Sequence, residues 1–392
     1  MQNFVFHNPT KVIFGQDTIP LVGAETCSLG RRVLLVTGMS SAKESGIFHE
    51  VSESITGNGG TVFCLEGVMP NPTLEKVRKG IELVRRENIE VICGLGGGSV
   101  IDSAKAIGAG SVVQHDVWKF FTGKKSVRST LPVVTVPTIA ASGSEVNSGM
   151  VLTNVDTCQK FGFANRHLFP KTAIIDPKTT FTVPGNQTAY GCIDALTHIF
   201  EFYFTNKQPD ATVQYHYMEG LASTLFGNCQ LALDNPSDYQ ARANLMWSSA
   251  LTLNGLCASG LGKVGFPMHL IEHSLSALYN IPHGAGLAIV GPGWMESRHK
   301  DVGDRIQQFF RITADSLYAP SGVLATLGNL RSWYASIGAP TYLEDIGVNE
   351  QDLPKIARNS QALAKVWRMR EYDEQLVERI LRQCLRESNG LP

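Results

Sequence analysis

Short β-branched runs alternating with helically spaced segments most constrain this chain, and they are confined to its first half. Val33–Thr37, Thr61–Leu65, Val91–Leu95, Val133–Pro137 and Ala173–Asp176 read as strands bounded by Gly, Pro or Asn. Thr73–Glu87 and Ser99–Ala109, which lie between them, carry helical spacing. Such alternation implies a parallel sheet, because strands joined through a helix return in the same direction with the helix on a face. After Pro184-Gly185-Asn186 no strand pattern remains. Gln187–Phe204, Asp210–Phe226, Tyr239–Cys257, Asp301–Leu317, Leu324–Ile337 and Glu371–Glu387 all carry helical spacing. The expected architecture is an α/β domain over residues 1–185 followed by an all-helical domain over residues 186–392.

Composition narrows the function classes. The chain has 392 residues, 43% of them hydrophobic, so large cores can be buried. A formal net charge of −1 offers no basic surplus for nucleic acid or an anionic membrane surface. The longest run free of Asp, Glu, Lys, Arg and His, Ala243–Gly262, contains Asn244, Ser248, Ser249, Thr252 and Asn254, and reads as a buried helix rather than a bilayer span. The eight cysteines include no Cys-x-x-Cys pair, as expected of reduced thiols in a cytoplasmic protein. The opening Met-Gln-Asn-Phe-Val-Phe-His-Asn-Pro has neither the basic region nor the long apolar stretch of a secretory signal.

Two turns at strand ends have the chemistry of a nucleotide site. Gly94-Leu95-Gly96-Gly97-Gly98-Ser99 follows one strand and opens a helix. Glycines there let backbone N–H groups approach phosphate oxygens, and the positive end of the helix adds attraction. From this segment alone, a phosphate site and a purely structural turn fit equally well. Thr138-Ile139-Ala140-Ala141-Ser142-Gly143-Ser144-Glu145 follows another strand and presents hydroxyls where open parallel sheets place their ligand crevice, or caps a helix.

The helical half carries the second constellation. Asp194 and His198 stand at i, i+4, one turn apart on one helix face; His269 and His273 repeat that spacing, and His283 follows in Pro282-His283-Gly284. Several imidazoles and a carboxylate in an otherwise apolar region are costly to bury unpaired. Together they suit a first-row divalent ion, iron(II) or zinc, acting as a Lewis acid at an open coordination position.

The combination resembles the iron-containing (group III) alcohol dehydrogenases over nearly the whole chain. Gly96-Gly97-Gly98-Ser99-Val100-Ile101-Asp102-Ser103-Ala104-Lys105 is similar to that family's pyrophosphate motif. Asp194–Glu201 is similar to its first metal motif, and His269-x3-His273 with Pro282-His283-Gly284 to its second. The resemblance implies a dinucleotide-binding first domain and a metal-binding, catalytic second one. It implies Asp194, His198, His269 and His283 as ligands, with iron(II) favoured and zinc possible. His273 falls on the non-ligand histidine that faces the reacting centre. Gly97, Gly98, Ser99 and Asp102 fall on the pyrophosphate motif, and Asn71, Thr138, Ser142, Val151 and Lys160 on other cofactor positions. It also implies reversible hydride transfer with a small to medium primary alcohol or aldehyde, a proton passed on by His273, and a homodimer or larger assembly.

Two departures stand out. Ile139 and Ser142 replace threonines of the family's usual hydroxyl-rich turn. After the first strand, where NAD-preferring members place Asp, this chain has Gly38-Met39-Ser40-Ser41-Ala42-Lys43. Gly38 leaves room for a 2′-phosphate, and Ser40, Ser41 or Lys43 can donate to it, so NADP(H) is expected over NAD(H). Phe121, Phe161, Phe163, Phe266 and Met268 are candidates for an apolar substrate pocket, with ordinary core positions the alternative. The rival functions are a glycerol-type polyol dehydrogenase or dehydroquinate synthase of related fold, a metal-dependent hydrolase, and a non-catalytic nucleotide-binding protein.

Overall fold

The computed structural model describes residues 1–206 and 210–386. The chain divides into two compact units. One comprises residues 6–184 and 234–256; the other comprises 1–5, 185–233 and 257–392.

The first unit is built on a six-stranded, wholly parallel sheet. Its strands are β1 (Lys11–Phe14), β2 (Arg32–Thr37), β3 (Thr61–Leu65), β4 (Val91–Gly96), β5 (Val133–Pro137) and β8 (Thr172–Ile175), in the order β1-β8-β5-β4-β2-β3. The central strands β4 and β5 are buried along their whole length, as an apolar strand covered on both faces must be. Val33, Leu35, Cys93, Leu95, Val134, Val136 and Ile174 pack in one core cluster with Val51 and Ile55 from the helix Ile47–Gly57. The chain moves outward from β2 to β3, then returns to the other side of β2 for β4. The C-terminal ends of β2 and β4 therefore lie side by side, with Thr37 opposite Leu95, and their following loops diverge. That reversal is where an open α/β sheet forms its ligand crevice.

The expected strands are present, within a residue or two at their ends. The spacing did not reveal β1, which is four residues long, nor the antiparallel pair β6 (Gly149–Asn154) and β7 (Gln159–Ala164). β7 reads Gln-Lys-Phe-Gly-Phe-Ala, without a single β-branched residue, and the hairpin turns through four residues ending at Cys158, whose φ of 49° is left-handed.

The two units differ from the expected division at residue 185 in two segments: residues 1–5 group with the helical unit, and residues 234–256 group with the sheet. The helix Tyr239–Thr252 belongs to the sheet unit rather than to the helical one. Its Met246 and Ala250 complete an apolar cluster with Val146, Ala173 and Ile175. Gly143 lies so close beneath it that a Cβ there would stand 2.8 Å from the Ser249 carbonyl oxygen.

The second unit contains no strand among the described residues. Its helices include Gly185–Thr205, Thr212–Asp234, Pro267–Tyr279, His283–Ser297, His299–Thr313, Val323–Ser336, Leu353–Val366 and Glu374–Arg382. The last matches an expected helix whose far end, Glu387, lies outside the described residues. Pro267–Tyr279, His283–Ser297 and Leu353–Val366 were not legible as helices. The middle one is apolar nearly all round and contains Pro292, so it shows no amphipathic period.

Candidate metal centre and nucleotide cradle

Asp194 and His198 face the same way from the helix Gly185–Thr205, and both are buried. His269 lies in the first turn of Pro267–Tyr279, and His283 opens the next helix behind Pro282. The three imidazoles meet at one atom. Asp194 Oδ1 lies 3.5 Å from His198 Nε2, 3.6 Å from His269 Nε2 and 3.7 Å from His283 Nε2. These separations are long for hydrogen bonds. They do match the edge of a coordination tetrahedron, about 3.4 Å when ligand bonds are near 2.1 Å. Asp194 Oδ1 and His269 Nε2 are buried with no hydrogen-bond partner. Buried polar atoms are almost always paired, so two such atoms aimed into one space, with two further imidazoles around it, fit a cation.

Charge tells the same story. Burial alone would raise the Asp194 carboxyl, but the His198, His283 and His269 rings hold it below the usual carboxylate range. Burial presses the His198 imidazole down to about 3, against the attraction of Asp194. His269 also loses by burial, yet Asp194 and Glu201 push it up to about 9. Asp194 is thus held ionised and His198 neutral, the forms in which each can ligate a cation.

Two carboxylates that sequence reasoning did not single out complete the site. Glu201 Oε1 lies 3.2 Å from His269 Nδ1 and also accepts the backbone N–H of Met268 at 2.8 Å and of His269 at 3.0 Å. Glu272 receives His283 Nδ1 on one oxygen and the Ser276 hydroxyl on the other. A carboxylate behind the His269 imidazole and another behind that of His283 fix ring orientation and tautomer and leave Nε2 of each turned toward Asp194. The signal was available: Glu201 is seven residues from Asp194, on the same helix face, and Glu272 is three from His269. Glycine makes room for this arrangement. A Cβ on Gly286 would lie 2.8 Å from Glu272 Cγ, and one on Gly284 would lie 2.3 Å from the Tyr190 carbonyl oxygen.

His273 stands beside the group. Its ring is 5.6 Å from that of His283, 6.4 Å from His269 and 5.5 Å from Trp367, centre to centre. Glu272, His273 and His283 offer a second cluster of ligand atoms. Both Glu272 oxygens, however, already accept hydrogen bonds, which makes Glu272 a support for His283.

In the sheet unit, Gly97 and Gly98 sit where β4 passes into the helix Gly98–Ser111. Their lack of side chains has a packing cause: a Cβ would lie 2.8 Å from Ile139 Cγ2 at Gly97 and 2.3 Å from Ser142 Oγ at Gly98. The two turns singled out from sequence therefore touch at the C-terminal end of the sheet, beside a helix whose first N–H groups lack helical acceptors. Thr138 reaches the same end, its N–H donating to Gly96 O at 3.2 Å.

The Ser99 hydroxyl donates to Pro70 O and does not cap its helix. Asp102 is also engaged within the fold, accepting from Ser144 Oγ at 2.5 Å and from Val151 N at 2.9 Å, so it holds β6 to the helix. Buried Lys105 reinforces the junction through Ser144, Asn147 and Gly149. Lys160 donates to Asn71 Oδ1 at 3.1 Å, which brings those two expected positions together. Gly38 has space, since a Cβ there would meet nothing closer than 3.8 Å. Ser40 is exposed nearby in sequence, and the Lys43 ammonium pairs with Glu66 at 2.7 Å.

Phe121, Phe161 and Phe163 stack around Trp118 and Phe120 in the sheet unit, an aromatic cluster at which Phe120 and Phe121 are fully buried. Met268 is fully buried too. Only Phe266 of the five stands against the metal ligands, 5.5 Å from the His269 ring.

Comparison with known proteins agrees with this geometry. Residues 9–177 match the family described as iron-containing alcohol dehydrogenase, and residues 188–385 match the C-terminal part of the Fe-containing alcohol dehydrogenase family. The chain belongs to the iron-containing alcohol dehydrogenase family. It is 36% identical over 389 residues to the probable NADH-dependent butanol dehydrogenase 1 of Bacillus subtilis, covering 98% of this chain and all of that one. It is 33% identical over 365 residues to the NADPH-dependent aldehyde reductase YqhD of Escherichia coli, covering 91% and 92%. The crystal structure of an NADH-dependent butanol dehydrogenase A from Thermotoga maritima superposes with a TM-score of 0.93 at 38% identity, covering 98% of this chain and 99% of that one.

Proposed function

We propose that this protein is a metal-dependent alcohol dehydrogenase or aldehyde reductase, interconverting small to medium primary alcohols and aldehydes with NADP(H) preferred over NAD(H). The observation that carries the reading is the convergence of three imidazole nitrogens on buried, unpaired Asp194 Oδ1. A divalent ion held by Asp194, His198, His269 and His283, iron(II) by family and zinc by affinity, supplies Lewis acidity toward an alcohol or aldehyde oxygen. The nicotinamide supplies the hydride acceptor or donor. Glu201 and Glu272 hold the ligand rings in place. His273, beside the group but not joined to Asp194, is the residue suited to move the proton to or from that oxygen.

The cofactor preference rests on Gly38, where the open space accepts a 2′-phosphate, and on Lys43. Its exposed pairing with Glu66 is worth little and is readily exchanged for phosphate. Relatives of both kinds occur, NADH-dependent and NADPH-dependent. Gly97, Gly98 and Ser99 take the pyrophosphate end of the cradle; Asn71, Thr138, Ser142, Val151 and Lys160 are its other members. A glycerol-type polyol dehydrogenase is the alternative within the superfamily. A metal-dependent hydrolase would need no nucleotide cradle.

Exposed Phe4, Val5 and Phe6 support self-association into a homodimer or larger assembly. The eight cysteines form no disulfide, which supports the cytoplasmic reading. No described helix is long and apolar enough to cross a membrane. The deciding experiment reloads the protein with iron(II) or zinc and measures kcat/KM for a panel of aldehydes and alcohols with NADPH and NADH. No turnover with either metal and either cofactor refutes the assignment, and a clear NADH preference refutes the cofactor reading.

A further inference from the structure

Around the metal ligands, five aromatic rings form a closed circuit. The His269 and His283 ring centres are 5.3 Å apart, His283 and His273 5.6 Å, and His273 and Trp367 5.5 Å. Trp367 is 6.5 Å from Phe266, which returns to His269 at 5.5 Å. Asp194, His198, His269 and His273 are all buried, whereas His283, Phe266 and Trp367 are each partly exposed. The approach to the ion therefore runs past these three, and two of them are apolar.

Local structure holds both rings firmly. Phe266 precedes the helix Pro267–Tyr279 and meets Phe202 edge to face at 5.3 Å. Trp367 is the C-cap of Leu353–Val366, which packs against Pro267–Tyr279. The chain turns there with Arg368 at φ 58°, Arg368 N–H donating to Lys365 O at 3.4 Å and Met369 N–H to Ala364 O at 2.9 Å. This pair of bonds with a left-handed residue is the Schellman arrangement, which fixes the direction of the preceding residue. Met369 is buried, and a Cβ on Gly265 would lie 3.3 Å from Met369 Cε, so the turn is anchored one residue from Phe266.

We infer that Phe266 and Trp367 form the apolar wall that receives the hydrocarbon chain of the substrate, and that Trp367 sets the preferred chain length. The inference rests on the alcohol and aldehyde reading above and deepens it. With the oxygen at the ion, carbons beyond the first gain by covering the two rings, and each buried methylene contributes about fourfold in kcat/KM, from about 0.8 kcal/mol per CH2.

The test compares the wild-type holoenzyme with Trp367→Ala, Phe266→Ala and the conservative Trp367→Phe along ethanal, propanal, butanal and hexanal. In the wild type, kcat/KM should rise about fifteenfold from ethanal to butanal. Trp367→Ala should flatten that rise to less than about threefold, mainly through KM, and Trp367→Phe should restore most of it. A Trp367→Ala variant that slows every aldehyde by the same factor overturns the inference and makes Trp367 a mere support for His273.

A second readout needs no turnover. Butan-1-ol titrated into the holoenzyme should shift tryptophan emission in the wild type and leave Trp367→Phe, with four of its five tryptophans remaining, unmoved. Emission that is equally responsive in both, or unresponsive in an active wild type, also overturns it. An inactive wild type whose emission still answers butan-1-ol through Trp367 keeps the wall and refutes the enzymatic reading instead.

Discussion

Removing Glu201 separates what the carboxylate does for the fold from what it does for the ion. Its Oε1 faces three nitrogen donors: the backbone N–H of Met268 at 2.8 Å and of His269 at 3.0 Å, and His269 Nδ1 at 3.2 Å. Glu201 is fully buried, so no water replaces it. Each buried donor left unpaired costs about 1–3 kcal/mol, and neighbouring costs do not add in full. Glu201→Ala should therefore destabilise the helical unit by about 3–5 kcal/mol, lowering Tm by about 2–4 °C for each kcal/mol. It should also free the His269 ring to rotate, weakening metal binding by about 10–100-fold. Glu201→Gln keeps an acceptor oxygen at the same place but loses the charge. It should retain most of the Tm and still bind metal about tenfold more weakly. Thermal unfolding with a chelator present and competition against a chromophoric chelator measure the two effects. Metal affinity within twofold of wild type in Glu201→Ala would show that Glu201 serves the fold alone.

Four further outcomes are expected. Gly38→Asp fits sterically and should cut kcat/KM with NADPH by at least about tenfold while sparing NADH, because its carboxylate repels a 2′-phosphate; an unchanged ratio in steady-state assays would count against NADP(H) preference. Gly286→Ala places a methyl 2.8 Å from Glu272 Cγ and should cost about 1–3 kcal/mol and weaken the metal site, seen by thermal unfolding and metal content together. His273→Ala should lower kcat by about 10²–10⁴-fold with metal content near normal by elemental analysis, whereas lost metal would make His273 a ligand. Arg368→Gly relieves a left-handed φ of 58° and should stabilise the protein by about 1 kcal/mol in urea unfolding, an effect absent if that turn opens in solution.

The site was partly legible. Asp194, His198, His269, His273 and His283 stood out together because helical spacing pairs Asp194 with His198 and His269 with His273 and because titratable groups are conspicuous in apolar surroundings, whereas the choice of four of them as ligands came from the family resemblance. Glu201 and Glu272 did not stand out, although their helical spacing from Asp194 and His269 places them on the same faces, because that spacing does not say which imidazole a glutamate will meet. Asp102 and Ser99, expected at the cofactor, also have partners within the fold that spacing could not show. Within the fold Asp102 bonds Ser144 and Val151, and Ser99 bonds Pro70, partners 29 to 49 positions away. Similarly, Trp367 lies nearly a hundred positions from His273, and only the packing of two helices brings the rings to 5.5 Å.

Local pattern alone determined the parallel sheet, the helical second half and the glycine-rich turn, because strand and helix periods and backbone freedom are properties of neighbouring residues. Tertiary structure decided that Tyr239–Thr252 joins the sheet unit and that three imidazoles share one carboxylate oxygen. It also decided which carboxylates stand behind His269 and His283 and which aromatic rings lie beside those two histidines. Those outcomes depend on burial and on contacts between distant segments. Side-chain chemistry can require a partner without naming it; the packed chain supplies the name.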